Sequence, residues 1–178
     1  MIDPGTKLEG EEYLAYNRRR WGGDGWTGHL RHSGKPVGAN FANWKWWPHT
    51  LKAHQLVAYF EQKRNNQQQE DTTDRTNQAL FEVLYEEGEN PSSVDVLVES
   101  VGVKKLGLSD WEAEELRLFL EQDKAAAQVK QEISEGRKKF KISGVPYFVI
   151  GKEGQKPYGF SGAQPPETFL EIFEELAG

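Results

Sequence analysis

The chain has 178 residues, a net charge of −6, 37% hydrophobic and 12% aromatic residues, six Trp and no cysteine. That length suits one domain, or one domain with an insertion, and can bury a core; the aromatic content excludes a disordered chain despite a mean hydropathy of −0.76. The acidic total argues against nucleic acid as a partner, no apolar run approaches the roughly 20 residues of a membrane span, and the absence of cysteine excludes disulfides and fits a cytoplasmic protein.

Charge is uneven along the chain: residues 1–64 carry 10 Lys and Arg against 6 Asp and Glu, and the remainder 12 against 22. After a Pro/Gly loop to Gly10, a helix is predicted from Glu11 to Arg20, acidic at its start and ending on Arg18, Arg19 and Arg20, as the helix dipole favours. Gly22, Gly23 and Gly25 stop it. The three arginines beside Trp21 and Trp26 admit phosphate contact with base stacking, but the dipole accounts for them more simply. Residues 22–48 read as a long aromatic loop holding Trp26, Phe41, Trp44, Trp46 and Trp47. Either it packs over one face of the domain beside the proline turn described below, or its tryptophans cap the helical core.

A helix from Thr50 to Lys63 follows from Ala53, Leu56, Val57 and Phe60 at i, i+3, i+4 and i+7. His54 falls within or beside that stripe and reads as a hydrogen-bonded core residue before a catalyst. Neither His49 with His54 nor His29 with His32 has the i, i+4 spacing of a helical zinc site, so no metal is expected. Asn65–Asp74 reads as a mobile polar turn. Asn77, Leu80, Phe81 and Leu84 form one helical stripe, and Val94, Leu97, Val98 and Val101 another behind Pro91-Ser92-Ser93. Ser109-Asp110-Trp111-Glu112 is a capping box leading into Leu116, Phe119 and Leu120. Asp123 is expected to cap a helix that carries Ala126, Val129 and Ile133 and ends near Gly136. Residues 49–136 thus form an all-α insertion with no titratable constellation in the four helices that follow residue 74.

Arg137, Lys138, Lys139 and Lys141 form a basic collar, either a solvated helix end or a steering patch for anions. Behind it, Lys141–Ile150 (KISGVPYFVI) predicts a strand entered through a proline turn, and Val145-Pro146 is where a cis bond is placed, since cis costs an X-Pro bond only about 0.5–1 kcal/mol. Proline fixes its own φ and keeps the preceding residue extended. Val145 would then present its backbone to an extended peptide; the alternative is a purely structural turn. Gly151–Gly154 makes a hairpin turn, Tyr158–Phe160 the returning strand, and Phe169, Ile172, Phe173 and Leu176 a closing amphipathic helix.

Ser143 through Ile150, the hairpin, and Ser161-Gly162-Ala163-Gln164-Pro165-Pro166-Glu167 opening a helix together resemble the C-terminal half of the DsbA-like thioredoxin-fold oxidoreductases. The likeness is strongest to their cytosolic branch, which includes relatives described as 2-hydroxychromene-2-carboxylate isomerases. Pro48-His49-Thr50-Leu51 with Ala53-His54-Gln55-Leu56 resembles that branch's P-x-T-x-x-A-H-x-L opening of the inserted helical domain. The resemblance implies an α/β, thioredoxin-like fold with an all-α insertion, helix-dominated, with a small β-hairpin remnant of the sheet. It divides the chain into 1–48 (loop and helix following a first βαβ unit, with Ile2 as the tail of its last strand), 49–136 (insertion) and 137–178 (C-terminal ββα half). It also makes Gly144, Val145 and Pro146 the substrate-binding loop, and Trp44, Trp47, His49 and His54 candidates to line the cleft.

Family members open with a strand and a C-x-x-C helix, whose low thiol pKa runs disulfide exchange; neither the dithiol nor the isomerases' serine has a counterpart here. The chain is therefore expected to be N-terminally incomplete and redox-inactive as written, with no catalytic residue, in a family whose complete members act on extended peptide or thiol substrates. No cofactor is expected, and glutathione is a candidate ligand. Two alternatives stay open: a peptide- or partner-binding module that uses an exposed strand edge and the Trp-rich loop, including self-association through that edge, and a glutathione-dependent isomerase-like relative.

Overall fold

The computed structural model describes Asp3, residues 5–64 and residues 72–178. It divides into two compact units, residues 2–129 and 130–178. No helix among the described residues is long and apolar enough to cross a membrane.

The first unit opens with a two-residue strand β1 (Glu11–Glu12), helix α1 (Tyr13–Trp21), helix α2 (Thr27–Gly34), a 3-10 turn (Lys35–Val37) and strand β2 (Trp46–Trp47). Glu11 pairs with Trp47 and Glu12 with Trp46, antiparallel. The predicted start of α1 at Glu11 is corrected by this pairing, which holds both glutamates extended and continues through Tyr13 N–H donating to Lys45 O at 2.8 Å. Glu12 becomes the N-cap, its carboxylate accepting from Ala15 N–H at 2.7 Å, and the buried Glu11 pairs with Arg19 at 2.6 Å. The three arginines fill the last turn, where positive charge meets the helix's negative end.

Residues 22–48 are not the irregular loop predicted. Helix α2 lies within them, and no apolar periodicity announces it, because side-chain hydrogen bonds fix its start. Thr27 Oγ1 donates to Asp24 O at 2.8 Å and shares a 2.9 Å bond with Tyr13 OH, while Trp26 Nε1 donates to Asn17 Oδ1 at 2.9 Å. Gly34 is required at its end, since a Cβ there would lie 2.5 Å from Ala39 O.

Helices α3 (Leu51–Arg64), α4 (Thr72–Phe81), a π-helical turn (Glu82–Glu87), a longer π-helical segment (Val96–Lys105) and α5 (Asp110–Glu121) enclose the main core. Leu56, Val83, Leu97, Val101, Leu116 and Leu120 are all completely buried, each such side chain worth about 1.5–3 kcal/mol of transfer free energy. At the start of α5, Glu112 accepts from Ser109 N–H at 2.9 Å and from its hydroxyl at 2.6 Å.

Four expectations need correction. Thr72–Asp74 belongs to α4 rather than to a turn; residues 65–71 of that predicted turn lie outside the described residues. Phe81 is 58% exposed, because the buried stripe of α4 runs through Thr76, Ala79 and Leu80 and on to Val83 and Leu84. Helix α6 (Ala126–Phe140) continues through Gly136 rather than ending there; one interior glycine costs a helix only about 1 kcal/mol. Asp123, read as the cap of α6, has φ +54°, and its carboxylate accepts from Lys52 Nζ at 2.9 Å and Gln55 Nε2 at 2.8 Å, which ties the approach to α6 back to α3.

The second unit takes up α6 from Lys130, then β3 (Tyr147–Ile150), β4 (Tyr158–Ser161) and α7 (Pro166–Ala177). The strands pair antiparallel in the register Tyr147 with Ser161 and Ile150 with Tyr158. Alternation along a strand sends Phe148 and Phe160 to one face, where they meet Phe169 of α7 at centroid distances of 4.9 and 5.5 Å. Tyr158 OH donates to Glu175 and Lys152 Nζ to Leu176 O at 3.3 Å, closing the far end. Phe173, predicted to lie on the covering face of α7, is 53% exposed, as is Leu170 at 58%; the face turned to the hairpin carries Phe169, Ile172 and Leu176, all half-buried.

Candidate functional site

The proline turn stands at the surface of the second unit. Helix α6 ends at Phe140, Lys141 takes φ +54°, and the chain passes through Ile142 and Ser143 into Gly144, Val145 and Pro146 before β3 begins. The Val145–Pro146 peptide bond is cis. Gly144, Val145 and Pro146 are all exposed. Pro146 O accepts from Gly162 N–H at 2.9 Å, so the turn is pinned to the end of β4 while Val145 stays clear of the protein. A Cβ at Gly144 would meet nothing within 4 Å.

Strand β3 is bonded to β4 alone among the described strands, and an edge that pairs with no other strand is the arrangement on which an extended chain can add. Val149, 42% exposed, is on the face opposite α7. Tyr147 shares that face and lies across Gly159, where a Cβ would stand 2.8 Å from the Tyr147 hydroxyl. Arg137, Lys138 and Lys139 occupy the last turn of α6 and Lys141 follows, placing positive charge in the segment that leads to the turn.

The remaining candidate residues belong to the first unit. Trp44 is buried, Trp47 and His49 are half-buried and His54 is exposed. Trp44 packs with Tyr13 at 4.7 Å, Tyr85 at 4.9 Å and Trp47 at 6.0 Å, so within the first unit these tryptophans form an aromatic core of their own, distinct from the main helical one, which neither reading of them foresaw. Trp47 stacks on Tyr16 at 4.2 Å with the planes 8° apart. The Tyr16 hydroxyl is pushed up to about 12, by burial and then by the hydrogen bond it donates to Asp3; that bond in turn holds the Asp3 carboxyl below its ordinary value. His49 N–H donates to Ser92 Oγ at 2.8 Å, a positioning contact at the entry to α3. His54 stands in the first turn of α3, its N–H donating to Thr50 O; its exposure corrects the core reading. Sequence reasoning missed Tyr16 and Asp3, whose pairing across 13 residues leaves no local signal.

The chemistry within reach is limited. There is no thiol anywhere in the chain, and among the described residues no group of three His, Cys, Asp or Glu is placed to hold a metal ion. The turn and strand β3 offer backbone hydrogen bonding, apolar contact and nearby positive charge, without a thiol.

A helix-dominated chain ending in a ββα unit, with a proline turn before its first strand, is the outline of the thioredoxin-like class. The family model of the DSBA-like thioredoxin domain matches residues 36–174, and the chain belongs to that family. No curated protein and no solved structure matches the chain.

Proposed function

We propose that this chain is the substrate-holding part of a DsbA-like thiol–disulfide oxidoreductase fold, binding extended peptide at the Gly144–Pro146 turn and the β3 edge without performing thiol exchange itself. The observation that carries this reading is a DSBA-like match over 36–174 in a chain with no sulfur nucleophile, whose proline turn is exposed at all three positions. A thiolate is the nucleophile of disulfide exchange, so what these 178 residues retain is alignment of a substrate backbone. The basic residues from Arg137 to Lys141 favour an acidic or carboxylate-bearing ligand, with the glutathione tripeptide as the smallest candidate.

The second reading, a partner-binding module that includes self-association, draws on the exposed Leu170 and Phe173, neighbours on the outer face of α7; contiguous apolar surface marks interaction sites. No observation favours isomerase-type chemistry over these two.

The test is a titration of the full chain with reduced glutathione and with a cysteine-free extended peptide, followed by amide NMR, beside an insulin-reduction assay. Saturable shifts at Gly144, Val145 and Tyr147 with no insulin reduction support the proposal. Insulin reduction by the pure chain would overturn its redox-inactive half, and flat titrations its binding half. Concentration-dependent shifts along β3 and α7 without added ligand would favour self-association.

A further inference from the structure

The first unit holds a groove of about 820 Å³ that neither the family nor the proline turn accounts for. It lies where α2 and the following 3-10 turn meet α4 and the π-helical turn after it. Its walls are apolar and aromatic: Leu30, Val37, Phe41, Phe81 and Tyr85. Phe41 and Tyr85 meet edge to face at 5.1 Å, and Phe81 lies 6.0 Å from Tyr85, so three rings share one surface. Phe81 and Val37 are 58% and 82% exposed, far more than side chains of their size show in a core. The volume falls within the roughly 300–1,000 Å³ of small-molecule sites.

The charged side chains described in the lining of this groove are carboxylates, while Arg31 reaches Phe41 O from outside it at 2.6 Å. Asp74, Glu82 and Glu86 line the groove, and no Lys or Arg does. Glu86 is fixed in place, its carboxylate accepting the N–H groups of Asn40 and Phe41 at 2.8 Å and of Ala42 at 3.2 Å; those donors hold its charge while forming the groove's loop wall. Glu82 shares Lys105 with Glu87, at 3.1 and 2.5 Å, leaving that trio with a net negative charge. Asp74 is exposed at the rim.

Aromatic faces attract cations through the ring quadrupole, and carboxylates attract them by charge. An apolar groove with both features, and with no Lys or Arg in its lining among the described residues, is complementary to a ligand that is apolar and positively charged at once. We propose that this groove binds an amphipathic organic cation of the aryl- or alkylammonium class, its hydrocarbon part against Leu30, Val37 and Phe81 and its charged head toward Asp74 and Glu82.

The test is a titration of the full chain with benzyltrimethylammonium, followed by amide NMR, with 2,2-dimethylpropylbenzene as the uncharged isostere and 3-phenylpropionate as the anion. The expected result is saturable shifts at Gly38, Phe41, Phe81 and Tyr85, with the neutral isostere about fivefold weaker or more and no shifts from the anion. Phe81→Ala and Asp74→Asn, both at exposed positions, each weaken the cation about threefold or more, and added salt weakens binding to the parent chain more than to Asp74→Asn. Equal binding of the neutral isostere, shifts that map outside the groove, or unchanged affinity in both variants would overturn the proposal.

Discussion

The helical unit and the hairpin unit use similar side chains to opposite ends. In residues 51–129 the apolar stripes of α3, α4, the π-helical turn, the longer π-helical segment and α5 close on one another, and six of their Leu and Val side chains keep no exposed surface. In residues 130–178, which include YFVI and FLEIF, no side chain is fully buried, and the packing rests on three phenylalanine rings, each between 4.9 and 5.5 Å from the others. A two-stranded hairpin is marginal by itself and depends on packing such as that of α7. The unit carrying the proline turn is thus the loosely packed one, with the unpaired β3 edge that the proposed peptide-holding role uses, and the helical unit carries the stability.

That contrast is broken most directly by emptying each core. Leu116→Ala, at a site with no exposed surface, is expected to cost about 3–4 kcal/mol in urea unfolding of the full chain. Phe160→Ala, among half-buried rings, is expected to cost about 1–2 kcal/mol and to show as lost amide protection over residues 147–161. Equal costs at the two sites would mean that the hairpin is as firmly packed as the helices.

Two glycines sharpen the comparison at smaller scale. Gly88, at φ +74°, ends the π-helical turn where a Cβ would stand 2.5 Å from Asn43 O. Gly88→Ala should therefore destabilise by about 1–2 kcal/mol. Gly144 has open space around its Cβ position and no positive φ, so Gly144→Ala is expected to leave the unfolding midpoint unchanged within about 0.5 kcal/mol. A cost at Gly144 matching that at Gly88 would show that the proline turn is as tightly constrained as the helical unit.

Acid probes the loop wall of the helical unit. Burial works against the charge of Glu86, but the N–H groups of Phe41, Ala42 and Asn40 outweigh it and hold its carboxyl below the ordinary 4.5. A folded value lowered in this way contributes stability that is fully present above the ordinary value and is lost as pH falls through the folded one. Amide shifts of Asn40, Phe41 and Ala42 should hold steady down to about pH 4.5 and then move together. Glu86→Gln should abolish that step; a step that persists in the variant would assign it to another carboxylate.

What the sequence makes legible follows from how local each cause is. The strand and closing helix at Tyr147–Ile150 and Pro166–Ala177, the capping box at Ser109 and the stripes of α3 and α5 are written in short continuous runs of sequence, and the structure forms all of them. The same turn and strand, with the opening of α3, carry the family resemblance that the match over 36–174 bears out. Elements fixed by distant partners escape such a reading. Helix α2 depends on Tyr13 and Asn17, and the β1–β2 pair joins Glu11 to Trp47 and Glu12 to Trp46, far apart in the chain. Phe81 looks like a core residue because its spacing is right. A single helix shows its period but not which flank faces the core, and α4 turns Ala79 and Leu80 inward while Phe81 is left to the groove.

The smallest effect expected is at Phe173. If the outer face of α7 is surplus apolar surface, Phe173→Ser removes a ring that is 53% exposed and leaves stability within about 0.5 kcal/mol. Ile172→Ser, one residue away on the half-buried face, places a hydroxyl against the hairpin and costs about 1–2 kcal/mol. The pair separates two uses of one helix: the face that holds the hairpin and the face left for a partner. Sedimentation across a concentration series adds the second readout, because removing Phe173 should lower any self-association of the parent chain, whereas Ile172→Ser acts first on folding. A Phe173→Ser variant that unfolds as readily as Ile172→Ser would show that the ring is structural, and would take that face out of the binding surface.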